Sequence, residues 1–344
     1  MDRMSDPQAI DAARLAPWLA AHVPGYAGPL AIARFEGGQS NPTFRLTTPG
    51  ARYVLRRKPA GEVLPSAHAV DREFRVLQAL YGTAVPVARP LGLCTDPAVI
   101  GSMFYVMEHV DGRVFWDPGL PGLAPAERRA VFDGMGAAIA AMHTLDWQAR
   151  GLADYGRPGS YLARQVARWT RQYRASETEP IPAMDRLIDW LPAHLPARET
   201  TALVHGDYRL DNLIFHPTEP RVVAVLDWEL STLGEPLADF AYNVMSWRIS
   251  PVQFRGLAGL DLAALGIPTE AEYVAAYCRR TGQAMPIPDW EVYVVFGMFR
   301  IAAILQGILK RGLVGSAAST AAIQEGRRGR LMAEQAWELA QSIT

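Results

Sequence analysis

Between Val204 and Phe215 the chain reads VHGDYRLDNLIF, with a histidine, two aspartates, an arginine and an asparagine enclosed by two short apolar runs. Short runs of this kind predict buried strands, so the polar residues fall on a turn with one strand leading in and another leading out. The next apolar run, VVAVLD, ends in Asp227-Trp228-Glu229. Any fold for this chain must therefore place Asp207, Asn212 and Asp227 at the ends of short, buried strands. Asp and Asn also serve as plain turn residues. Three of them, interleaved with strands in this order, exceed what turn chemistry requires.

Two oxygen-bearing side chains on one strand-loop-strand, plus a carboxylate ending the neighbouring strand, suit a hard cation. Mg²⁺ takes oxygen ligands and keeps waters and substrate phosphates in its shell. The spacing H-G-D-x-x-x-x-N, followed by the later aspartate, matches the phosphoryl-transfer template. There one aspartate meets the acceptor hydroxyl, while an asparagine and a second aspartate hold Mg²⁺. His205 reads as a hydrogen-bonded brace rather than the base. Arg209 and Asp211 read as exposed loop residues.

Residues from about 29 to 110 read mainly as strands with one helix. PLAIARF, TFRLTT, RYVLRRK and SMFYVMEHV are the strand candidates, and AVDREFRVLQAL places Val70, Phe74, Leu77 and Leu80 at helical spacing. After Asp111-Gly112, a turn signal, the character changes. PAERRAVFDGMGAAIAAMHTLD, SYLARQVARWTRQYR and the stretch around MDRLIDWL predict helices. ALVH, LIF and VVAVLD are the only strands expected there. From about Leu237 the chain reads as helical again, with loops at SPVQ, LGIPTE and TGQAMPIP. The division is 1–107, a short connector 108–112, and 113–344.

With 344 residues the chain suits two lobes better than one core. Its net charge of -1 provides no general attraction for nucleic acid or a membrane surface. Two cysteines, Cys94 and Cys278, are too few for a disulfide framework and too far apart for a zinc motif. A reducing, cytoplasmic setting is expected. The N-terminal stretch has no apolar core of signal-peptide type. VYVVFGMFRIAAILQGIL is apolar but carries Arg300 and Gln306, which fits a buried helix better than a membrane span.

HGDYRLDNLIF followed by VLDWELSTLGEPLADFAYNV resembles the aminoglycoside phosphotransferase-like small-molecule kinases. Within them it is similar to the branch of kinase-like domains fused to some acyl-CoA dehydrogenases. The likeness runs from GGQSNPTFRL to the last helices. It implies an α+β, bilobal protein-kinase-like fold, with a β-rich N-terminal lobe, a larger helical C-terminal lobe and ATP in the cleft between them. It carries over Asp207 as catalytic base and Asn212 and Asp227 as Mg²⁺ ligands. Asp239, in LADFA, becomes an internal brace of the catalytic loop. EGGQSNPTFRL corresponds to the phosphate-covering hairpin. Gly37 and Gly38 there would let backbone approach phosphate oxygens, and Ser40 and Asn41 would donate hydrogen bonds. MEHVDG corresponds to the hinge, where backbone groups of Glu108 and Val110 would meet adenine.

One position departs from the family pattern. YVLRRKP puts Arg56 where kinases keep lysine. Strand alternation gives Arg56 the opposite face from Leu55. Lys58 would share its face if the strand continued. Glu73 shares the side of Val70, Leu77 and Leu80 and needs a cationic partner there. The phosphoryl-transfer template supplies one from the preceding strand, where Arg56 falls; a carboxylate reaching out at the stripe's edge is the other reading. Arginine can grip phosphate and carboxylate together, although it is not equivalent to lysine.

The expectation is therefore a kinase moving the γ-phosphate of ATP to a hydroxyl of a small molecule. Two other classes compete. A pseudokinase would keep the fold without turnover, and a metal phosphoesterase would use His205, Asp207 and Asp227, with His216 as the only nearby extra histidine. From Ser231 onward ten Lys and Arg balance ten Asp and Glu. Arg248, Arg300, Lys310, Arg311, Arg327, Arg328 and Arg330 suit anionic acceptor groups better than amines. The acceptor is expected to be neutral or anionic, such as a hydroxyacyl thioester or a hydroxy acid. Trp116, Trp169, Tyr173, Trp247 and Tyr293 are expected mostly in the core.

Overall fold

A computed structural model of the chain describes residues 10–35, 41–59, 69–315 and 321–343. The chain divides into two units. One holds Met1–Gly112 and Val223–Glu229, the other Arg113–Val222 and Leu230–Thr344.

The first unit is built on an antiparallel five-stranded sheet. Helix α1 (Ala12–His22) precedes β1 (Ala31–Arg34), β2 (Thr43–Thr47) and β3 (Arg52–Arg57). Helix α2 (Val70–Leu80), β4 (Pro90–Cys94) and β5 (Phe104–Glu108) follow. The sheet order is β1-β2-β3-β5-β4. Strand β4 is one that the sequence reading lacks. PLGLC is short, opens on a proline, and shows neither alternation nor β-branched residues. It forms because β5 offers it a free edge, in a register irregular between Pro90 and Gly92.

Alternation along the strands divides the side chains between two faces. Phe44, Leu46, Leu55, Phe104 and Val106 form one core with Leu15 and Leu19 of α1. On the opposite face Tyr105 meets Phe74 of α2, ring centroids 5.9 Å apart. The predicted α2 stripe is buried as expected, and Glu73 is buried with it.

The second unit is mostly helical. Its elements are α3 (Pro125–His143), α4 (Tyr161–Ser176), α5 (Pro182–His194), β6 (Ala202–Val204) and β7 (Leu213–Phe215). Strand β8 (Val222–Val225) carries the chain into the first unit. Then come β9 (Thr232–Gly234), α6 (Pro236–Val244), α7 (Pro251–Phe254), α8 (Leu262–Leu265), α9 (Glu270–Thr281), α10 (Trp290–Leu313) and α11 (Ala322–Ile343). Strand β9, also unanticipated, pairs antiparallel with β6. SPVQ, expected as loop, starts α7, because Ser250 and Gln253 close a capping box around its N-terminus. Helix α10 is long and apolar enough to cross a membrane, with mean hydropathy 1.9, yet 83% of that window is buried inside the protein. It packs against α4, α5, α6 and α11. Both cysteines are buried free thiols.

Candidate active site

In the first unit the chemistry gathers around Arg56. Register pairs it with Thr43 on one side and Tyr105 on the other. Its Nε lies 2.9 Å from Glu73 Oε2, and the Glu73 side chain is 2% exposed. Its Nη2 donates to Asp227 Oδ1 at 2.6 Å and lies 3.5 Å from Glu229 Oε2. One planar guanidinium therefore spans three carboxylates, a reach that a lysine ammonium lacks.

Glu73 accepts two further hydrogen bonds, from Asn41 Nδ2 at 2.7 Å and Tyr105 Oη at 3.0 Å. Burial pushes the Glu73 carboxyl up, with Arg56 and these two donors opposing. Burial opposes the charge on Arg56, but Glu73 and the other nearby acidic groups outweigh it and raise its pKa further, so it stays protonated. The family likeness assigns the Asn41 amide to phosphate; the structure turns that amide nitrogen onto Glu73 instead. Gly37, Gly38 and Ser40 lie outside the described residues. Lys58 comes after the end of β3, with its amide donating to Met103 O at 2.9 Å. Glu108 ends β5 and donates its amide to Arg89 O at 2.9 Å, and Val110 follows partly buried.

Asp227 follows β8 with φ +63°, a left-handed backbone. Asp tolerates that region better than most residues. Trp228 anchors the turn, buried, its Nε1 donating to Val225 O at 2.9 Å. Glu229, within reach of Arg56, is a member of this cluster that sequence reasoning missed. Its place two residues after Asp227 was the available signal.

In the second unit β6 delivers the chain into the loop from His205 to Asn212. Gly206 has φ +83°, and a Cβ there would come within 2.8 Å of Leu230 O, so only glycine fits. Asp239, in the first turn of α6, is the internal brace. It accepts from His205 N at 2.7 Å and Gly206 N at 2.9 Å, and lies 3.3 Å from His143 Nε2. Burial would raise its carboxyl. The His143 hydrogen bond, the nearby His143 and His205 rings, and the His205 amide outweigh burial and hold it below the usual range. His205 is fully buried, and its Nδ1 accepts the Asp207 amide at 3.2 Å.

Asp207 is held from three directions. Tyr242 Oη donates to Oδ1 at 2.6 Å, and Arg209 Nε lies 3.1 Å from the same oxygen. Asn212 Nδ2 donates to Oδ2 at 3.2 Å and to the Asp207 carbonyl at 2.9 Å. Asn212 thus spends its amide nitrogen on Asp207, which turns its carbonyl oxygen, a hard ligand, away from that carboxylate. Asp207 remains 23% exposed at its side chain, open to solvent.

Arg209 and Asp211 are not exposed loop residues. Asp211 is 7% exposed at its side chain, 3.4 Å from Arg209 Nη2, and it accepts from Arg255 Nη1. Sequence spacing hid this, because Arg255 arrives from 44 residues away. Arg300, inside the apolar α10, donates to Gly206 O, with its guanidinium 4.8 Å from the Tyr242 ring centroid and 5.2 Å from that of Trp169. Other cations of the expected anion-binding set are equally engaged. Arg248 pairs with Glu270 and Glu291, Lys310 bonds Ala175 O, and Arg330 pairs with Glu179. Trp169, Tyr173, Trp247 and Tyr293 are core residues, whereas Trp116 is 63% exposed.

Replacing Asp239 by Asn is expected to leave one of the two loop amides without an acceptor, at a cost of about 1–3 kcal/mol. The depressed Asp239 pKa also fixes a sign. Its contribution to stability is complete above the unfolded value of about 3.9 and is lost as pH falls through the lower folded value. Thermal unfolding of Asp239→Asn should show a lower Tm at neutral pH and a shallower fall in acid than the parent. Parallel curves would remove Asp239 from the acid response.

A five-stranded antiparallel sheet, a helical second part, and an aspartate–asparagine loop braced from within define a kinase-like phosphotransferase fold. A thermostable variant of the aminoglycoside phosphotransferase APH(4)-Ia has the same fold at 16% identity, with a TM-score of 0.63 over 97% of this chain and 99% of that one. The Phosphotransferase enzyme family profile matches residues 31–293, and the chain belongs to that family. A Ralstonia eutropha protein provisionally assigned as an aminoglycoside phosphotransferase is 58% identical, with TM-score 0.89 over 97% of this chain and 99% of that one. Acyl-CoA dehydrogenase family member 10 of Mus musculus is 50% identical over 316 residues, covering 91% of this chain and 29% of that protein. Family member 11 of Homo sapiens is 43% identical over 317 residues, covering 90% and 40%. The chain thus spans well under half the length of these curated relatives.

Proposed function

We propose that the chain is a Mg²⁺-dependent kinase that transfers the γ-phosphate of ATP to a hydroxyl of a neutral or anionic small molecule. The observation carrying this is Asp207, a carboxylate braced on three sides yet open to solvent. Its Oδ2, with the single longer hydrogen bond from Asn212, is the oxygen best placed to take the acceptor proton. As the acceptor oxygen bonds to the γ-phosphorus, the bond from that phosphorus to the bridging oxygen breaks, the proton passes to Asp207, and ADP leaves. Arg56, fixed by Glu73, steadies the non-transferred phosphates. Bound Mg²⁺ would neutralise phosphate charge, with the Asp227 carboxylate and the Asn212 carbonyl as the hard oxygens this chain offers it. Positioning and charge stabilisation supply most of the rate.

The relative APH(4)-Ia has been captured with AMP-PNP and hygromycin B, which supports a nucleotide donor here. A polycationic acceptor fits less well, since it needs carboxylates free to receive it. Asp211, next to the catalytic loop, is already neutralised by Arg209 and Arg255. The relatives named as acyl-CoA dehydrogenases point instead to hydroxyacyl thioesters or hydroxy acids.

The test is steady-state kinetics with γ-labelled ATP and Mg²⁺. Kanamycin-type amines would be compared with hydroxyacyl-CoA compounds and hydroxy acids. Label should appear on a member of the anionic panel. Efficient labelling of the aminoglycosides alone would overturn the acceptor class. Labelling of nothing, with nucleotide bound, would reduce the protein to a binding module.

A further inference from the structure

Beside the catalytic loop, within the second unit, lies a cavity of about 50 Å³. Its apolar walls come from Trp116, Phe132, Met135, Met245, Ile249 and Phe254. Phe132, Met135, Met245 and Ile249 are almost completely buried and make the deep part, while Trp116 is largely exposed. Tyr242 also lines the cavity, and its hydroxyl is the one that donates to Asp207 Oδ1 at 2.6 Å. Whatever fills this space lies one phenol ring away from the reacting carboxylate.

The polar groups around the cavity already have partners. Arg209 and Arg255 face Asp207 and Asp211, two charges against two. Asn243 donates to Tyr208 O at 3.3 Å and accepts from Tyr273 Oη at 2.9 Å. Ser246 Oγ bonds Asn243 O at 2.9 Å. A polar occupant would lose its hydration and find its partners taken, whereas an apolar one loses nothing. Two methionines in the wall add adaptability.

We propose that this cavity seats a short alkyl segment of the acceptor and that its end wall limits acceptor size. The inference rests on the kinase reading above and extends it to substrate dimensions. The volume corresponds to roughly three to five carbon-sized groups, taking 10–15 Å³ for each water-sized one. The acceptor is then an alcohol whose carbinol carbon bears a short, uncharged tail directed away from Asp207.

Two measurements test this. The first is kcat/KM for 3-hydroxy acids, free or as thioesters, with tails from methyl to heptyl. The parent should favour a tail of intermediate length. Ile249→Ala should shift the optimum longer and raise kcat/KM for the heptyl member about tenfold, the lower end of what one methylene in an apolar pocket is worth. Ile249→Val, a milder change, should move it the same way by less. The second is binding read by NMR of ¹³C-methyl methionine. The Met135 and Met245 signals should shift on adding the intermediate-tail acid and stay still with a tail-less one. Turnover with an unchanged length profile in both variants, or with both methionine signals unmoved at saturation, would overturn the proposal. If no acid is turned over, the acceptor class proposed above fails on its own, and the methionine signals still decide what the cavity holds.

Discussion

Asp207→Asn is expected to cut phosphoryl transfer by about 10²–10⁴, the usual worth of a positioned base, and to leave nucleotide affinity nearly intact. The environment explains why so small a change should be so costly. Tyr242, Arg209 and Asn212 all direct donors at this side chain. A carboxylate accepts every one of them. An amide would turn an NH₂ group toward at least one, and it cannot take up the hydroxyl proton at neutral pH. Single-turnover kinetics with labelled ATP and the true acceptor, beside a nucleotide titration, read the two effects separately. Normal turnover would remove Asp207 from the role assigned to it.

Arg56→Met should have the second large effect, on both stability and nucleotide use. It strips Glu73 of its cation while the carboxylate stays buried. Breaking a buried pair from one side typically costs about 3–5 kcal/mol, and Glu73 would respond by taking up a proton. Loss of the charged contact to phosphate adds a weakening of roughly 10- to 150-fold, from about 1.5–3 kcal/mol for a hydrogen bond to a charged group. Glu73→Gln should show the same pattern more mildly. Arg56→Lys should recover only part of the activity, because one ammonium cannot span Glu73, Asp227 and Glu229 together. Lys58→Met is the control and should stay within a few-fold of the parent. If Lys58→Met proves the damaging change, the phosphate contact belongs to Lys58 instead.

Much of this arrangement was legible in the chain because its signals are local. Helical spacing put Glu73 on the buried side of α2, and strand alternation put Arg56 opposite Leu55. The four-residue interval between Asp207 and Asn212 reflects one tight strand-turn-strand, so both ends can be read without a structure. Asp239 stands out through the family likeness of LADFA, and the apolar Leu237, Phe240 and Ala241 around it favour a buried brace over a helix-surface carboxylate.

What the chain could not disclose depends on partners far away in sequence. PLGLC becomes β4 only because β5 presents an open edge, and STLG becomes β9 only because β6 does. Arg209 and Asp211 look like loop surface until Arg255 arrives beside them. Nothing in LADFAYNV says that Tyr242 will reach Asp207, nor in VYVVFGMFRIAAIL that Arg300 will fasten Gly206. Periodicity and spacing record how a segment sits in its own helix or strand. Sequence alone therefore singled out the candidates for phosphoryl transfer and the local faces on which they stand. Tertiary packing decided which donors hold Asp207, which cations are already paired, and how large a space adjoins it, because those contacts join segments with no shared period.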